Sequence, residues 1–576
     1  MSLLSSLYVG TSGLQTSQNA LNTTAHNLSN ADTEGYTRQQ VQLSTKSYIT
    51  ISTNTNSVSN QQTGLGVSYS NVKQVRDYFL DKSYRKESGR SMFYEVSSEV
   101  LDEVESLLGE LDGEAFQETL SDLWTAVQEL AKDPCSSVTQ SLLVQTASEF
   151  IERAAAVYDG LASYQDNLNT QIKQQVDLIN EYGNQILELN NQIRAIEAGG
   201  VESANDLRDT RNQILDELAA LVNISYSEDS MGNVSVQIEG VDFVKGSMCY
   251  EIALDVDAST GFYTPYWPQN ASYTVLSDGT KQYNIEGAEV FDLSVEISSD
   301  YGTDIGGLKA MLLARGDHRA DYTDISNNYD DISQSVIMNI QAEFDQLIYN
   351  VASQINAVLA KAAGVTTGTM TLEDGTTQTV QYAAVDDDGY MRAEDGSPLQ
   401  LFSKSSTQGY EKVYATIDGV EGYYWVYNEE DADVKNSLYS VRNLEVNQEL
   451  MQSPSNLGFR LADGSEDTET MEALKAVFTE ESYSLNPNVL KQSSLIDYYD
   501  DLVSQIANSG YVYDSIYANQ LTTVESIESA REQIVGVSSD EELTNMIKYQ
   551  SAYNAASRYI NVISEMLEHI INTLAI

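Results

Sequence analysis

The sequence predicts an α+β multidomain protein, with long terminal helices pairing as a coiled coil, a helical bundle in the middle and two outward β-rich domains. Three observations lead to this prediction: heptad stripes of apolar residues at both ends of the chain, a third stripe inside it, and two segments in which apolar residues alternate between turn dipeptides. The chain has 576 residues, more than one hydrophobic core usually serves, so we expect several packing units.

Both ends of the chain carry an apolar stripe at alternating spacings of three and four, the heptad pattern of a coiled-coil helix. The first stripe predicts a helix-packing seam of Leu4, Leu7, Leu14, Leu21 and Leu28, with Thr11, Gln18 and Ala25 between them. The second predicts a seam of Met546, Tyr549, Tyr553, Ile560, Ile563, Leu567, Ile570 and Leu574. A long helix with one apolar stripe needs a partner, and we expect the two terminal helices to pair. On the pattern alone, two core helices of an ordinary bundle remain an alternative.

The beginnings and ends of several helices are also predicted. Ser538 and Ser539, followed three residues later by Glu541 and Glu542, form a capping-box pattern, so we expect the last helix to begin at Ser539. A third heptad helix is expected over 161–198, and the two glycines that follow it should end it. Further helices are expected around 207–221 and 329–361.

Two segments have the character of β-structure, at 222–295 and 364–444. Asp-Gly pairs accept the positive φ of tight hairpin turns at low cost, and they occur at Asp278-Gly279, Asp374-Gly375 and Asp395-Gly396. The second segment is acidic, rich in tyrosine and interrupts helix-forming sequence, so we interpret it as an inserted module.

These patterns divide the chain into six expected parts. They are an N-terminal helix with the turn after it (1–60), a helical domain with a long heptad helix (61–221), a β-rich domain (222–305), a helical segment (306–363), a β-rich insertion (364–444), and C-terminal helical segments that end in the last coiled-coil helix (445–576).

The charge of the chain narrows its expected partners. Asp and Glu number 86 against 31 Lys and Arg, a formal net charge of -55. Such a surface repels nucleic-acid phosphates and anionic lipids, so we expect neither nucleic acid nor membrane as a partner. No stretch approaches the roughly 20 apolar residues of a membrane span, and the opening lacks the basic and apolar regions of a cleaved signal peptide.

No motif for catalysis or metal binding stands out. The three histidines, His26, His318 and His569, lie in no recognisable catalytic motif, and HExxH, GxSxG and P-loop patterns are missing from the sequence. The run from Asp386 to Gly389 resembles part of a calcium loop, but its ligand spacing fails. We therefore expect no catalytic, cofactor or metal site, and a structural protein instead of an enzyme.

One segment is more specific than any periodicity: AHNLSNADTEGYTRQ, which follows the first stripe. It resembles the signature of the flagellar rod, hook and hook-associated axial proteins, in which asparagines end the N-terminal helix before a turn of glycine and an aromatic residue. The positions that match this signature are Asn27, Asn30, Gly35, Tyr36, Arg38 and Gln39. GYTRQ is similar to the form found in hook-associated members, and the block from Ser529 to Leu567 resembles their closing helix. One departure is Glu34, where many relatives have proline.

The resemblance implies a protein of the bacterial flagellum that is extracellular and is exported without a cleaved signal peptide. Its implied partners are itself in a ring or helical layer, the hook protein, the second hook–filament junction protein, and the type III flagellar export apparatus with a chaperone. The implied function is to form the junction between hook and filament. Another axial protein, such as hook protein or the second junction protein, and an acidic surface adhesin are alternatives, as is a hydrolase grafted into 364–444.

Overall fold

The computed structural model describes residues 3–53, 60–108, 116–200, 202–276, 280–372, 376–385, 391–432, 434–461 and 463–574. Two of the predicted hairpin turns, Asp278-Gly279 and Asp374-Gly375, and the run from Asp386 to Gly389 lie outside these residues.

Helices make up most of the described chain. Their bounds are α1 (Leu3–Ser29), α2 (Tyr78–Leu107), α3 (Phe116–Lys132), α4 (Ser137–Glu197), α5 (Asn205–Leu221), α6 (Gly307–Arg315), α7 (Tyr322–Asn327), α8 (Tyr329–Ile332), α9 (Val336–Ala362), α10 (Gln448–Gln452), α11 (Thr468–Thr479), α12 (Leu495–Val535) and α13 (Ser539–Leu574).

The strands fall into small antiparallel sheets. Their bounds are β1 (Gln39–Thr45), β2 (Ile49–Thr53), β3 (Asn60–Thr63), β4 (Val67–Gln74), β5 (Ile224–Glu228), β6 (Val234–Ile238), β7 (Val241–Lys245), β8 (Met248–Cys249), β9 (Ala253–Val256), β10 (Tyr263–Tyr266), β11 (Ser272–Val275), β12 (Lys281–Asn284), β13 (Thr366–Thr371), β14 (Thr377–Ala384), β15 (Phe402–Lys404), β16 (Tyr410–Ile417), β17 (Val420–Tyr427) and β18 (Leu444–Val446). Strands β5 to β8 form one sheet in chain order, and β13, β14, β17 and β16 close into a barrel.

The last helix begins where the capping pattern predicts. The backbone N–H of Glu541 donates to the Ser538 hydroxyl at 3.4 Å, which supplies one half of the capping box. The predicted middle helix is longer than expected, because α4 already begins at Ser137. The helix expected over 329–361 is divided into α8 and α9, and Ser335 caps α9 by accepting from the N–H of Met338.

Strands β1 to β4 follow the first helix, in a region where the sequence indicated only a helix and a turn. Strand β1 pairs with β4 and β2 with β3. Their residues are mostly polar, as in QQVQLST, so the hydrophobic alternation by which strands are recognised is weak here.

The largest core lies between α2, α3, α4, α9 and α12. Phe116 is at its centre, with ring centroids 5.4 Å from Phe150, 5.0 Å from Phe344 and 4.9 Å from Tyr499. These four rings are all buried and come from four different helices, so one aromatic cluster joins segments that are distant in sequence.

Buried polar side chains of α9 hold chain segments that lie outside the four barrel strands, including β15. Asn356 donates to the carbonyl of Phe402 at 2.7 Å and accepts from the N–H of Leu401 at 3.0 Å. Asp345 accepts from the N–H of Val441 at 2.6 Å and of Tyr322 at 3.0 Å. Burial raises the pKa of Asp345 to about 7, opposed by these two hydrogen bonds. Helix α9 therefore holds β15 and the segment around Val441 against the helical core.

The described residues contain long terminal helices that pack against each other, a helical middle and strand-rich segments, which confirms the predicted fold class. None of the described helices combines the length and apolarity needed to cross a membrane. The six domain boundaries stay predictions.

Candidate functional site

The first and last helices pack against each other in opposite directions. A methyl group placed on Gly10 would lie 2.8 Å from Cγ1 of Ile560, and one placed on Gly13 would lie 3.7 Å from Cβ of Ala556. Increasing numbers in α1 thus face decreasing numbers in α13, which makes the pair antiparallel. The missing side chains at the two glycines let the helix backbones approach closely.

On α13, the predicted seam residues form the less exposed face. Ile563 is buried with 6% of its surface exposed, and Met546, Tyr549, Tyr553, Ile560 and Leu567 are half-buried. Ile570, near the end of the helix, is exposed, and the side chain of Leu574 is not among those described. By contrast, 65% of the surface of Ile547, which is off the seam, is exposed.

On α1, the buried face is displaced from the predicted leucine stripe. The buried residues with heptad spacing are small or polar: Gly10, Ser17, Ala20, Thr24 and Asn27. Leu7, Leu14, Leu21 and Leu28 are half-buried, and Leu4 has 63% of its surface exposed. Close contact with α13 is made at Gly10 and Gly13, and the buried residues of α1 do not coincide with the leucines. The role of both stripes in assembly between subunits stays a prediction.

The signature turn is organised around the side chain of Asn27 on the last turns of α1. Its amide nitrogen donates to the carbonyl of Gln39 at 2.8 Å, and its oxygen accepts from the N–H of Gln39 at 3.0 Å. The same oxygen accepts from the Tyr36 hydroxyl at 2.8 Å. One asparagine thus takes the place of a neighbouring strand for Gln39 and fixes where β1 leaves the helix.

Other residues of the signature hold the turn in shape. Gly35 has a φ of 75°, which residues with a side chain rarely adopt, and Asn30 donates to the carbonyl of His26 at 3.0 Å. The Tyr36 hydroxyl is also 3.0 Å from Nδ1 of His26. Burial, followed by the charges of nearby carboxylates, raises the pKa of Tyr36, so its hydroxyl keeps the proton that it donates to Asn27.

Arg38 connects the signature turn to the beginning of α13. Its Nε donates to Oε1 of Glu542 at 2.9 Å, and its Nη1 is 3.0 Å from Oε2 of Glu541. Its backbone N–H donates to the carbonyl of Val535 at 2.9 Å. Glu542 is almost fully buried, so its charge depends on this guanidinium for compensation. The two ends of the chain are therefore joined at this point as well as along the helices.

The turn is also attached to α5, a connection that the sequence did not reveal. Asp209 accepts from the N–H of Thr37 at 3.1 Å and from the side chain of Gln74 at 2.7 Å, and Gln39 donates to Asp206 at 3.1 Å. Burial raises the pKa of Asp209 to about 6, although the hydrogen bonds from Thr37 oppose this shift. Both carboxylates belong to the sequence NDLRDTR at the beginning of α5, where no pattern in the sequence indicated this role.

An ion-pair network continues from the turn into the helical domain. Asp216 on α5 lies 2.6 Å from Nε of Arg85 and 2.8 Å from Nη1 of Arg531. Nη2 of Arg76, just before α2, lies 2.9 Å from Oδ1 of Asp81 in the first turn of that helix. Helices α2, α5 and α12 are thus connected by charge beside the point where both chain ends meet.

The polar side chains of this region connect parts of the chain to one another. In the parts of the chain that the structure describes, no three His, Cys, Asp or Glu side chains are grouped so that they could hold a metal ion. The site consists of a close helix pair, a turn fixed by one asparagine, and ion pairs that connect the turn to both α5 and α13.

Comparison with known families gives three matches along the chain. Residues 101–372 match the family model described as the flagellar hook-associated protein FlgK helical domain. Residues 7–37 match the flagella basal body rod protein family, and residues 532–573 match the C-terminal family of the flagellar basal body rod FlgEFG proteins. The last two segments contain most of α1 with the signature turn, and most of α13.

Similar proteins match over nearly their whole length. Flagellar hook-associated protein 1 of Bacillus subtilis is 25% identical over 567 residues, which cover 98% of this chain and 97% of the relative. The proteins of the same name from Salmonella typhimurium and Escherichia coli are 23% and 22% identical, each over 97% of this chain and 98% of the relative. The solved structure of the flagellar hook junction protein FlgK from Burkholderia pseudomallei matches with a TM-score of 0.49 and 14% identity, over 80% of this chain and 100% of that one.

Proposed function

The chain belongs to the flagellar hook-associated protein family, and from this premise we propose that it assembles at the hook tip as a structural component of the hook–filament junction. The observation that supports the proposal is that the first and last helices meet beside the signature turn. Arg38 is paired with Glu542, and α1 packs along α13, so the two family-typical segments form one structural unit.

We propose that the seam residues of this unit make the contacts between neighbouring subunits. On α13, Ile547, Val562, Met566 and Ile571 stay exposed in the single chain, in addition to the partly covered seam. A helix pair with so much apolar surface is suited to packing against further helices, because burial of that surface stabilises the contact. We therefore propose that copies of this chain associate through the terminal helix pairs, in a ring or helical layer.

The large negative charge of the chain is a further reason to expect apolar contacts between subunits. Subunits that each carry a formal charge of -55 repel one another until salt screens them over about 8 to 10 Å. Apolar contacts between helices are short in range and are not weakened by salt. We infer that these contacts overcome the repulsion and that assembly is favoured by rising ionic strength.

The specific partners form part of the same proposal. By analogy with the family, the chain contacts the hook protein on one side and the second junction protein on the other, and is extracellular after transport by the type III flagellar export apparatus with a chaperone. In this proposal the role is structural and involves no catalysis.

Deletion of the gene is the experiment that tests the proposal. Electron microscopy of the deletion strain should show hooks without filaments, and flagellin should appear in the culture supernatant by immunoblotting. Reintroduction of the intact gene should restore filaments and motility. Motile cells with intact filaments after deletion would contradict the proposed function, and immunogold label spread along the filament would favour a surface adhesin instead.

A further inference from the structure

A groove crosses α12 at a distance from the signature turn. It encloses about 320 Å³ between α12, the beginning of α9 and the segment around Ile297. Its apolar lining consists of Leu101, Ile297, Val336, Ile340, Ile506 and Tyr513. A second groove of about 510 Å³ shares Gln505, Ser509 and Tyr513 with the first, so the two form one continuous depression.

The first groove contains hydrogen-bond acceptors that have no donor. Oδ1 of Asn339 and Oε1 of Gln334 are both shielded from solvent, and neither accepts a hydrogen bond from any described residue. Both residues line the groove. A buried acceptor without a donor is unfavourable, so a ligand that supplies N–H groups here would gain from pairing with them.

The orientation of Asn339 is fixed by the residue behind it. Its Nδ2 donates to Oε1 of Glu343 at 3.3 Å. Glu343 is buried and also accepts from Asn486 at 2.6 Å and from Gln505 at 3.0 Å. A carboxylate of this kind accepts hydrogen bonds, so the amide nitrogen of Asn339 must face it and the amide oxygen is left without a partner.

The charges around the first groove favour a cation. Glu296 is part of the lining, whereas no lysine or arginine is among the lining residues. In the second groove, Lys491 is held by Asp501 at 2.6 Å. A guanidinium group carries five donors in a planar fork and can serve two amide oxygens at once, which suits it to this site better than an ammonium group.

The second groove offers apolar contacts beside this acceptor site. Leu485, Val489 and Val512 line it, and the adjacent Leu490 has 96% of its surface exposed. Such a protruding leucine next to an apolar depression is typical of a surface that a protein partner covers.

We propose that this depression binds a protein segment that inserts an arginine side chain between Asn339 and Gln334 and places an apolar side chain against Val489 and Val512. The inference goes beyond the junction function and rests on no part of it. The two unpaired oxygens, the carboxylate of Glu296 and the exposed leucine all support the same occupant.

Methyl-labelled full-length protein tests the chemistry of the site. N-acetyl-arginine methylamide, titrated into protein labelled at the isoleucine δ1 methyl groups, should shift the signals of Ile340 and Ile506. The neutral analogue N-acetyl-citrulline methylamide should bind about tenfold more weakly, because it lacks the charge. Equal binding of the two probes, or no shift at either isoleucine, would overturn the proposal.

Two variants and a control locate the binding. Asn339→Leu removes the oxygen and should abolish the preference for arginine, whereas Asn350→Leu, three turns further along α9, should leave it unchanged. Ser509→Trp fills the part shared by both grooves without removing a donor to Glu343, and it should weaken the arginine probe as well. Arginine binding that survives Ser509→Trp would place the probe elsewhere and contradict the assignment.

A photo-crosslinking experiment tests the occupant. With p-benzoylphenylalanine in place of Ser509, irradiation of intact cells should join the full-length chain to a peptide that contains an arginine and a nearby apolar residue. No crosslinked protein, or a crosslinked segment without arginine, would overturn the assignment. Loss of filaments on gene deletion is measured separately, so failure of this inference and failure of the junction function can be distinguished.

Discussion

Arg38 and Glu542 are separated by 504 positions in the sequence and by 2.9 Å in the structure. The pair joins the residue that follows the signature turn to the first turn of α13. Because Glu542 is almost fully buried, the pair is sensitive to the loss of either partner.

We expect Arg38→Ala to loosen the beginning of α13. The buried carboxylate of Glu542 would lose its counter-charge, at a cost of about 2 kcal/mol, after allowance for the partial exposure of the arginine. Hydrogen exchange at residues 538–545 should accelerate by about thirtyfold. The exposed Arg558, further along the same helix, provides the control, since Arg558→Ala should leave this exchange unchanged.

We expect Gly10→Leu to force α1 and α13 apart. Even a methyl group at this position would meet Ile560 at 2.8 Å, so a leucine side chain should destabilise the pair by about 1–3 kcal/mol. Cells that carry the variant should be non-motile and shed flagellin. Gln15→Leu places the same side chain at an exposed position of α1 outside the predicted stripe and should preserve motility; a motile Gly10→Leu strain would refute the importance of the close contact.

We expect Ile563→Asp to abolish assembly while the remaining domains stay folded. Ile563 is the buried member of the α13 seam, and a carboxylate there would have no counter-charge. Filament formation should be lost, whereas the near-ultraviolet circular dichroism of the purified protein should be retained. Ser564→Asp introduces the same charge at an exposed polar position of the same helix, outside the apolar surface, and serves as the control. Normal filaments with Ile563→Asp would exclude a seam at this position.

We expect Asp209 to make stability depend on pH between about 4 and 6. Its pKa is raised from 3.8 to about 6 in the folded chain, so the folded state binds more protons than the unfolded state in this window. The contribution of Asp209 to the free energy of unfolding therefore falls as the pH rises through the window, by about 2 kcal/mol.

The measurement is the free energy of unfolding in urea at several pH values, for the wild type and for Asp209→Asn. The difference, wild type minus variant, should decrease from pH 4 to pH 7 and then remain constant. A difference that is the same at all pH values would show that Asp209 does not titrate in this range.

The terminal helices show how far the sequence could predict this structure. The beginning of α13 follows from local residues, because Ser538 and Glu541 specify a capped start and the heptad stripe then continues without interruption. The contact face of α1 does not follow from the leucines, because close approach of two helices selects small residues such as Gly10 and Gly13. A pattern based on hydrophobicity gives these residues little weight.

The turn shows a second limit. Asn27, Gly35 and Tyr36 were identified by their resemblance to a family signature, but their geometry depends on partners elsewhere in the chain. Thr37 bonds to Asp209, 172 positions away. No local pattern predicts a pairing over such a distance, and the same applies to the polar strands β1 to β4, whose alternation is too weak to stand out.

Helix α4 has a mechanical consequence. Its 61 residues form one uninterrupted helix of about 90 Å, packed against α3, α5 and α9. The hydrogen-bond ladder of this helix is continuous over its whole length, so a load applied at one end is carried by the same element to the other end. We therefore expect α4 to resist bending more than the short connections that join it to α3 and α5.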